Sequence, residues 1–138
     1  MIRSIGAGCA CLCLAGASYA QTPQPAGPEF VASVYTTGDQ GISRIAVEPD
    51  GDFVIVWTSN GQDGSGRGVF GRRFAADTAP RGAEFRVNTY TTGYQLVPAA
   101  ATDSNGFFVV VWSGEGPSDS GGVFAQRFNA AGSTVGGQ

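Results

Sequence analysis

The chain has no histidine, and all eight of its basic residues are arginine. Its three cysteines, Cys9, Cys11 and Cys13, crowd the N-terminus. Beyond residue 20, therefore, the Ser-His, Cys-His and Ser-Lys nucleophile systems cannot be assembled. Zinc loses its usual nitrogen and sulfur ligands by the same count. Two carboxylates alone can hydrolyse a glycoside, but no acidic pair is singled out here by its sequence setting, so no enzyme is expected.

Positive charge is scarce. After Ala20 there are seven arginines and eleven acids, a net charge of 7 − 11 = −4, and the only adjacent basic pair is Arg72-Arg73. Phosphate backbones and anionic lipid surfaces both need clustered basic residues, so neither nucleic acid nor a membrane surface is an expected partner.

Long hydrophobic runs are absent too. The one apolar stretch, Ile5 to Ala17, is too short to span a bilayer. Arg3 precedes it and Ser18-Tyr19-Ala20 follows it, which reads as a signal peptide over residues 1–20 with cleavage after Ala20. Cleavage there leaves a chain without thiols. Lipidation at Cys9 or Cys11 is the alternative, disfavoured because few apolar residues precede either one. The expected location is secreted, either extracellular or periplasmic, with nothing inserted in the membrane once the signal is removed. Gln21 to Pro28 holds three prolines and reads as an extended linker.

What the chain has in quantity is glycine, valine, phenylalanine and threonine, the composition of strands joined by tight turns. It is also duplicated. An offset of 55 lays Glu29-Phe30 on Glu84-Phe85, Tyr35-Thr36-Thr37-Gly38 on Tyr90-Thr91-Thr92-Gly93, Gln40 on Gln95, and Val56-Trp57 on Val111-Trp112. Between Glu29–Thr58 and Glu84–Ser113 there are 13 identities, too many for coincidence. One residue is then lost in a Gly- and Ser-rich loop, after which Gly68-Val69-Phe70 and Arg73-Phe74 match Gly122-Val123-Phe124 and Arg127-Phe128 at an offset of 54.

Such a period marks propellers, solenoids and arrays. Phe53 to Thr58 and Phe107 to Ser113 are unbroken apolar runs, as expected of strands covered on both faces. Asp50-Gly51 and Asn105-Gly106 precede them as hairpin signals, with Ile42 to Val47 and Val97 to Thr102 as partner strands. Gly68 to Ala75 and Gly122 to Asn129 supply a third strand, and Glu29 to Tyr35 and Glu84 to Tyr90 a fourth. The expected fold is all-β: two four-stranded antiparallel blades of the β-propeller type, the second incomplete, with the strands offset so that the chain begins on an outer strand. The units are residues 29–82 and 83–138.

Two blades leave apolar faces bare. Either further repeats follow in a longer chain, or copies assemble head to tail. In the second case Glu29–Tyr35 of one subunit pairs with Gly122–Asn129 of the next, and three chains give six blades.

The succession Asp50-Gly51, Phe53-Val54, Val56-Trp57, Gly68-Val69-Phe70, Arg73-Phe74, Gly82-Ala83-Glu84-Phe85 and Val87-Asn88 resembles a repeat of secreted bacterial proteins, often long and linked to surface adhesion or calcium-binding modules. The resemblance covers about Glu29 to Gly137. It implies a propeller-like fold and an extracellular setting, with no reaction attached, and an adhesion role toward a glycan or a protein. A structural segment without a ligand of its own is the alternative.

Candidate binding residues are few. Trp57 and Trp112 end the apolar strand of each repeat, where they could stack on sugars or, as preferred, pack in the core with the indole N–H satisfied at the sheet edge. Arg73 and Arg127 recur at one position, either gripping a ligand or, as preferred, pairing with Glu84 across strands. Asn60, Gln62, Asp63 and Ser65 in one loop, and Glu115, Ser118, Asp119 and Ser120 in the other, offer oxygen to calcium, with Asp63 and Asp119 as the charged ligands. Neither loop has the spacing of an EF-hand or a glycine-rich nonapeptide, so turn geometry is the preferred explanation and no cofactor is expected.

Overall fold

The computed structural model describes residues 24–137. The expected signal peptide with Cys9, Cys11 and Cys13, and the first linker residues, lie outside that range.

Eight strands follow one another: β1 (Gln40–Val47), β2 (Phe53–Asn60), β3 (Arg67–Phe74), β4 (Phe85–Arg86), β5 (Gln95–Thr102), β6 (Phe108–Gly116), β7 (Asp119–Phe128) and β8 (Thr134–Val135). They form two antiparallel sheets ordered β1-β2-β3-β4 and β5-β6-β7-β8, with no helix among the described residues. The fold is the expected one, two propeller-type blades that do not close. The β1–β2 and β5–β6 hairpins turn on Gly51 and Gly106, whose φ values of 93° and 78° suit glycine.

The strand offset is real. β4 belongs by sequence to the second repeat, yet it is hydrogen-bonded into the first sheet, pairing Phe70 with Arg86 and Gly71 with Phe85. It is much shorter than the expected Glu84–Tyr90. After Val87 donates to the Val69 carbonyl, the side chain of Asn88 takes over from the backbone: its Oδ1 accepts the Val69 N–H at 2.7 Å. Glu29–Tyr35, expected to be a strand, has no strand pairing, because the third strand of a preceding blade is what it would need.

β8 completes the second sheet only at its end, pairing Arg127 with Val135 and Phe128 with Thr134. At the offset of 54 these match the Phe74–Pro80 bridge and the bond from Arg81 N–H to the Arg73 carbonyl in the first blade. The counterpart of β4 itself is not among the described residues, so β7 has an open outer edge from Val123 to Gln126.

Each blade has two faces, fixed by the two-residue period of its strands. Phe53, Ile55, Trp57, Phe70, Arg72 and Phe74 share one face of the first blade, matched by Phe108, Val110, Trp112, Phe124, Gln126 and Phe128 in the second. Val54, Val56, Thr58, Val69, Gly71 and Arg73 share the other face, matched by Val109, Val111, Ser113, Val123, Ala125 and Arg127.

The core lies where unlike faces meet. Val54, Val56, Val69 and Val87 of the first blade cluster with Phe108, Val110, Trp112 and Phe128 of the second. Burial of each such side chain stabilises by about 1.5–3 kcal/mol. Phe85 bridges the two sheets, its ring 6.0 Å from Phe108 and 5.3 Å from Phe128.

Strand β2 is buried on the face that meets the second blade, while on its other face Trp57 is buried and Phe53 and Ile55 are half-buried. Strand β6 is less covered than its apolar run predicts: Val111 is 37 % exposed, and Val123, on the same face of β7, is 79 % exposed. An unbroken apolar run signals cover on both faces only where a second blade supplies it, and the outer face of this blade has none among the described residues.

Candidate functional site

Trp57 and Trp112 are 3 % and 1 % exposed. Both indoles are packed away from solvent, which favours the core role over sugar stacking. The expectation of a satisfied N–H does not hold, since neither Nε1 has a hydrogen-bond partner. Trp57 forms part of the wall of a recess of about 240 Å³ with Ala32, Ser33 and Gln40.

Arg73 and Arg127 occupy equal places in the two repeats and lead different lives. Arg73 is buried between the blades, beside a recess of about 160 Å³ that Glu84, Ala131 and Gly132 also line. Arg127 is exposed. The expected pairing with Glu84 is not formed. That carboxylate accepts the Val34 N–H at 2.6 Å and also the Gln62 side-chain amide, so the N-terminal segment and the β2–β3 loop have claimed both oxygens. Arginines that do pair are Arg81, with Asp52, and Arg67, with Asp39 at 3.5 Å.

Asp63 is engaged by the protein itself. One carboxylate oxygen accepts the Ser65 N–H at 3.3 Å and the other accepts from Asn88 Nδ2 at 3.2 Å. The Asn88 amide also donates to the Tyr90 carbonyl at 2.9 Å and to Gln95 Oε1 at 3.2 Å. Gln95, fully buried, donates in turn to the Thr92 and Glu115 carbonyls. These residues knot the β2–β3 loop to the start of the second blade. Gln40 plays part of the same role in the first repeat, capping the Thr37 and Gly38 carbonyls. The matching of Gln40 with Gln95 was the available signal in the sequence. Asn88 stands in the motif succession, but the duplication does not single it out, because its counterpart in the first repeat is Ser33.

The second oxygen-rich loop does not exist as a loop. Strands β6 and β7 run to Gly116 and from Asp119, leaving only Pro117 and Ser118 between them. Asp119 uses Oδ1 to accept the Gly121 N–H at 2.9 Å, which is turn chemistry.

One acidic cluster escaped the sequence reading. Glu48, Asp50 and Asp52 hold carboxylate oxygens within 4.8 Å of one another on the β1–β2 turn. Asp52 is already engaged by Arg81 and by the Ala76 N–H, and Asp50 accepts the Asp52 N–H, so these acids too have structural work.

A further recess, of about 550 Å³, is bordered by Val34, Tyr35, Gln62, Arg72, Ala83 and Glu84. Glu84 is its single carboxylate, whereas glycoside hydrolysis uses two. No described helix is long and apolar enough to cross a membrane.

The second blade's outer face also exposes apolar side chains. Val111, Val123, Ala125 and Arg127 lie together on it, bounded by the open β7 edge. Comparison with protein-family models, curated proteins and solved structures gives no match.

Proposed function

We propose that this chain is an exported propeller-type interaction module that binds a protein partner across the outer face of β6 and β7. The observation that supports this is the contrast between duplicated faces. Val69 is wholly buried by the neighbouring blade, while its counterpart Val123 is 79 % exposed and flanked by an unpaired strand edge. An apolar face beside free backbone donors and acceptors suits a protein strand, which satisfies both at once. A glycan satisfies them less well, and the buried tryptophans offer it no platform. None of the three recesses described above is lined by a carboxylate pair.

The test is a photo-crosslinking amino acid placed at Val123, with a control at exposed Ser104. The exported protein is irradiated in the presence of its own cell-surface and secreted proteins and of purified chain. Protein adducts at 123 and none at 104 support the reading. Absence of adducts at 123, or glycan binding unchanged by Val123→Asp, overturns it.

A further inference from the structure

Resting on that reading, we infer that the partner is a second copy of this chain, docked head to tail so that the contact between the two blades within a chain is repeated between chains. The two faces that meet inside the molecule each have a counterpart with exposed apolar residues: Val111 and Val123 on the second blade's outer face, and Ile45 and Val47, which lie beside Ile55 and Phe53, on the first blade. The outer face of the second blade matches the buried face of the first, and the Phe53–Trp57 face of the first blade matches the Phe108–Trp112 face that covers it.

The N-terminal segment is already in place for the contact. Phe30 packs on Phe74 with ring centroids 5.3 Å apart and a tilt of 58°, and its counterpart Phe85 packs on Phe128 at 5.3 Å and 51°. Phe85 also hydrogen-bonds through its backbone to β3, whereas Phe30 has no such strand partner. The open edge of β7 in another copy supplies one. Transferring the β3–β4 register sets Phe30 opposite Ala125, Val31 opposite Phe124 and Ala32 opposite Val123.

The turn residues agree in shape and charge. In the chain, Ala131 and Gly132 of the β7–β8 turn lie by Arg73, and a Cβ on Gly132 would meet that side chain at 3.6 Å, an ordinary contact. Their counterparts in the first blade are Asp77 and Thr78, on a turn with the same backbone bonds and with φ of 72° at Thr78 against 83° at Gly132. Docking therefore brings exposed Asp77 of one copy to exposed Arg127 of the next, an opposite-charge contact where the internal version has alanine.

Two departures weaken the copy relative to the original. Ala125 carries a methyl where Gly71 has none and where the Phe85 ring lies 3.0 Å from the Cβ position, and Ser33 is shorter than Asn88. The contact is accordingly reversible with dilution. Closed propellers have about four to eight blades, which corresponds to two to four chains.

Sedimentation velocity of the exported full chain over a hundredfold concentration range tests this. The expected result is a discrete species of two to four chains that dissociates on dilution. Arg127→Asp should yield a folded monomer, and Arg127→Asp combined with Asp77→Arg should restore assembly, which a general loss of stability would not. In a background with Cys9, Cys11 and Cys13 changed to serine, Ala32→Cys with Val123→Cys should oxidise to a ladder or ring of linked chains, while either change alone gives none beyond background. A monomer throughout that still forms adducts at position 123 with other proteins overturns self-assembly and leaves the partner-binding reading. A monomer without any adduct overturns both. An oligomer that is indifferent to Arg127→Asp and yields no Ala32–Val123 linkage overturns this register.

Discussion

Val69 and Val123 are the same residue of one duplicated strand, and the first is inaccessible to solvent while the second is 79 % exposed. Their difference measures what a neighbouring blade contributes. Val69→Ala should cost about 2 kcal/mol, from two lost methylene equivalents and an imperfectly filled gap. Val123→Ala, compared at concentrations where the chain is monomeric, should change stability by less than about 0.5 kcal/mol. Urea unfolding of the two variants checks this; equal losses would mean that the second blade's outer face is covered within a single chain.

Asn88 joins three segments through one amide: β3 through the Val69 N–H, the loop through Asp63, and the second blade through Gln95. It is 1 % exposed, so truncation leaves the Val69 donor and the Gln95 acceptor without partners or water. Asn88→Ala should cost about 2–4 kcal/mol, more than the loss of one ordinary hydrogen bond. Asp63→Ala removes a half-exposed partner and should cost about 1 kcal/mol. Chemical denaturation ranks the two, and a larger loss for Asp63→Ala would show that the knot is centred on the carboxylate instead.

The repeats, hairpins and strand offset were legible because each rests on local chemistry: Asp50-Gly51 and Asn105-Gly106 for the turns, alternation and apolar runs for the strands. Residues that act across the blade junction were not legible. Glu84 looked free to meet Arg73, and only the folded chain brings Val34 and Gln62 to it. Phe107 to Ser113 reads in the sequence as deeply buried as Phe53 to Thr58, because an apolar run records the capacity to be covered, not whether a cover is present. The shortness of β4 follows from Asn88, whose side chain replaces a backbone partner in a way no propensity anticipates.

Calcium should have little effect on the folded chain. Asp63 is held by Asn88 and Ser65, Asp119 by Gly121, and Asp52 by Arg81, so an ion must displace existing bonds to bind. A ligand present at a hundred times its dissociation constant stabilises by about 2.7 kcal/mol, whereas one present at or below that constant gives little. Melting temperatures in 5 mM calcium and in excess chelator should agree within about 1 °C. A rise of several degrees with calcium that disappears in Asp50→Asn would instead make the Glu48, Asp50 and Asp52 turn a binding site.

Ile42 and Val97 share a strained backbone as well as a repeat position. Their φ values are 52° and 53°, a left-handed conformation in which β-branched side chains are outliers, and each lies in the irregularity that interrupts its hairpin register. Such a residue costs about 1–3 kcal/mol of conformational energy. Both side chains are substantially exposed, 41 % and 51 %, so their removal forfeits little burial. Asparagine tolerates this conformation, and Val97→Asn should raise stability by about 1 kcal/mol, with Ile42→Asn acting in the same direction. Val97 stays 51 % exposed although β5 packs on β1 inside the molecule, so its counterpart Ile42 gains little cover if copies assemble by the same contact. Both substitutions should therefore stabilise the monomer with little effect on assembly. Thermal unfolding at low concentration, set beside sedimentation at high concentration, checks this. Destabilisation of the dilute monomer by both substitutions would show that the bulge depends on branched side chains and stores no strain.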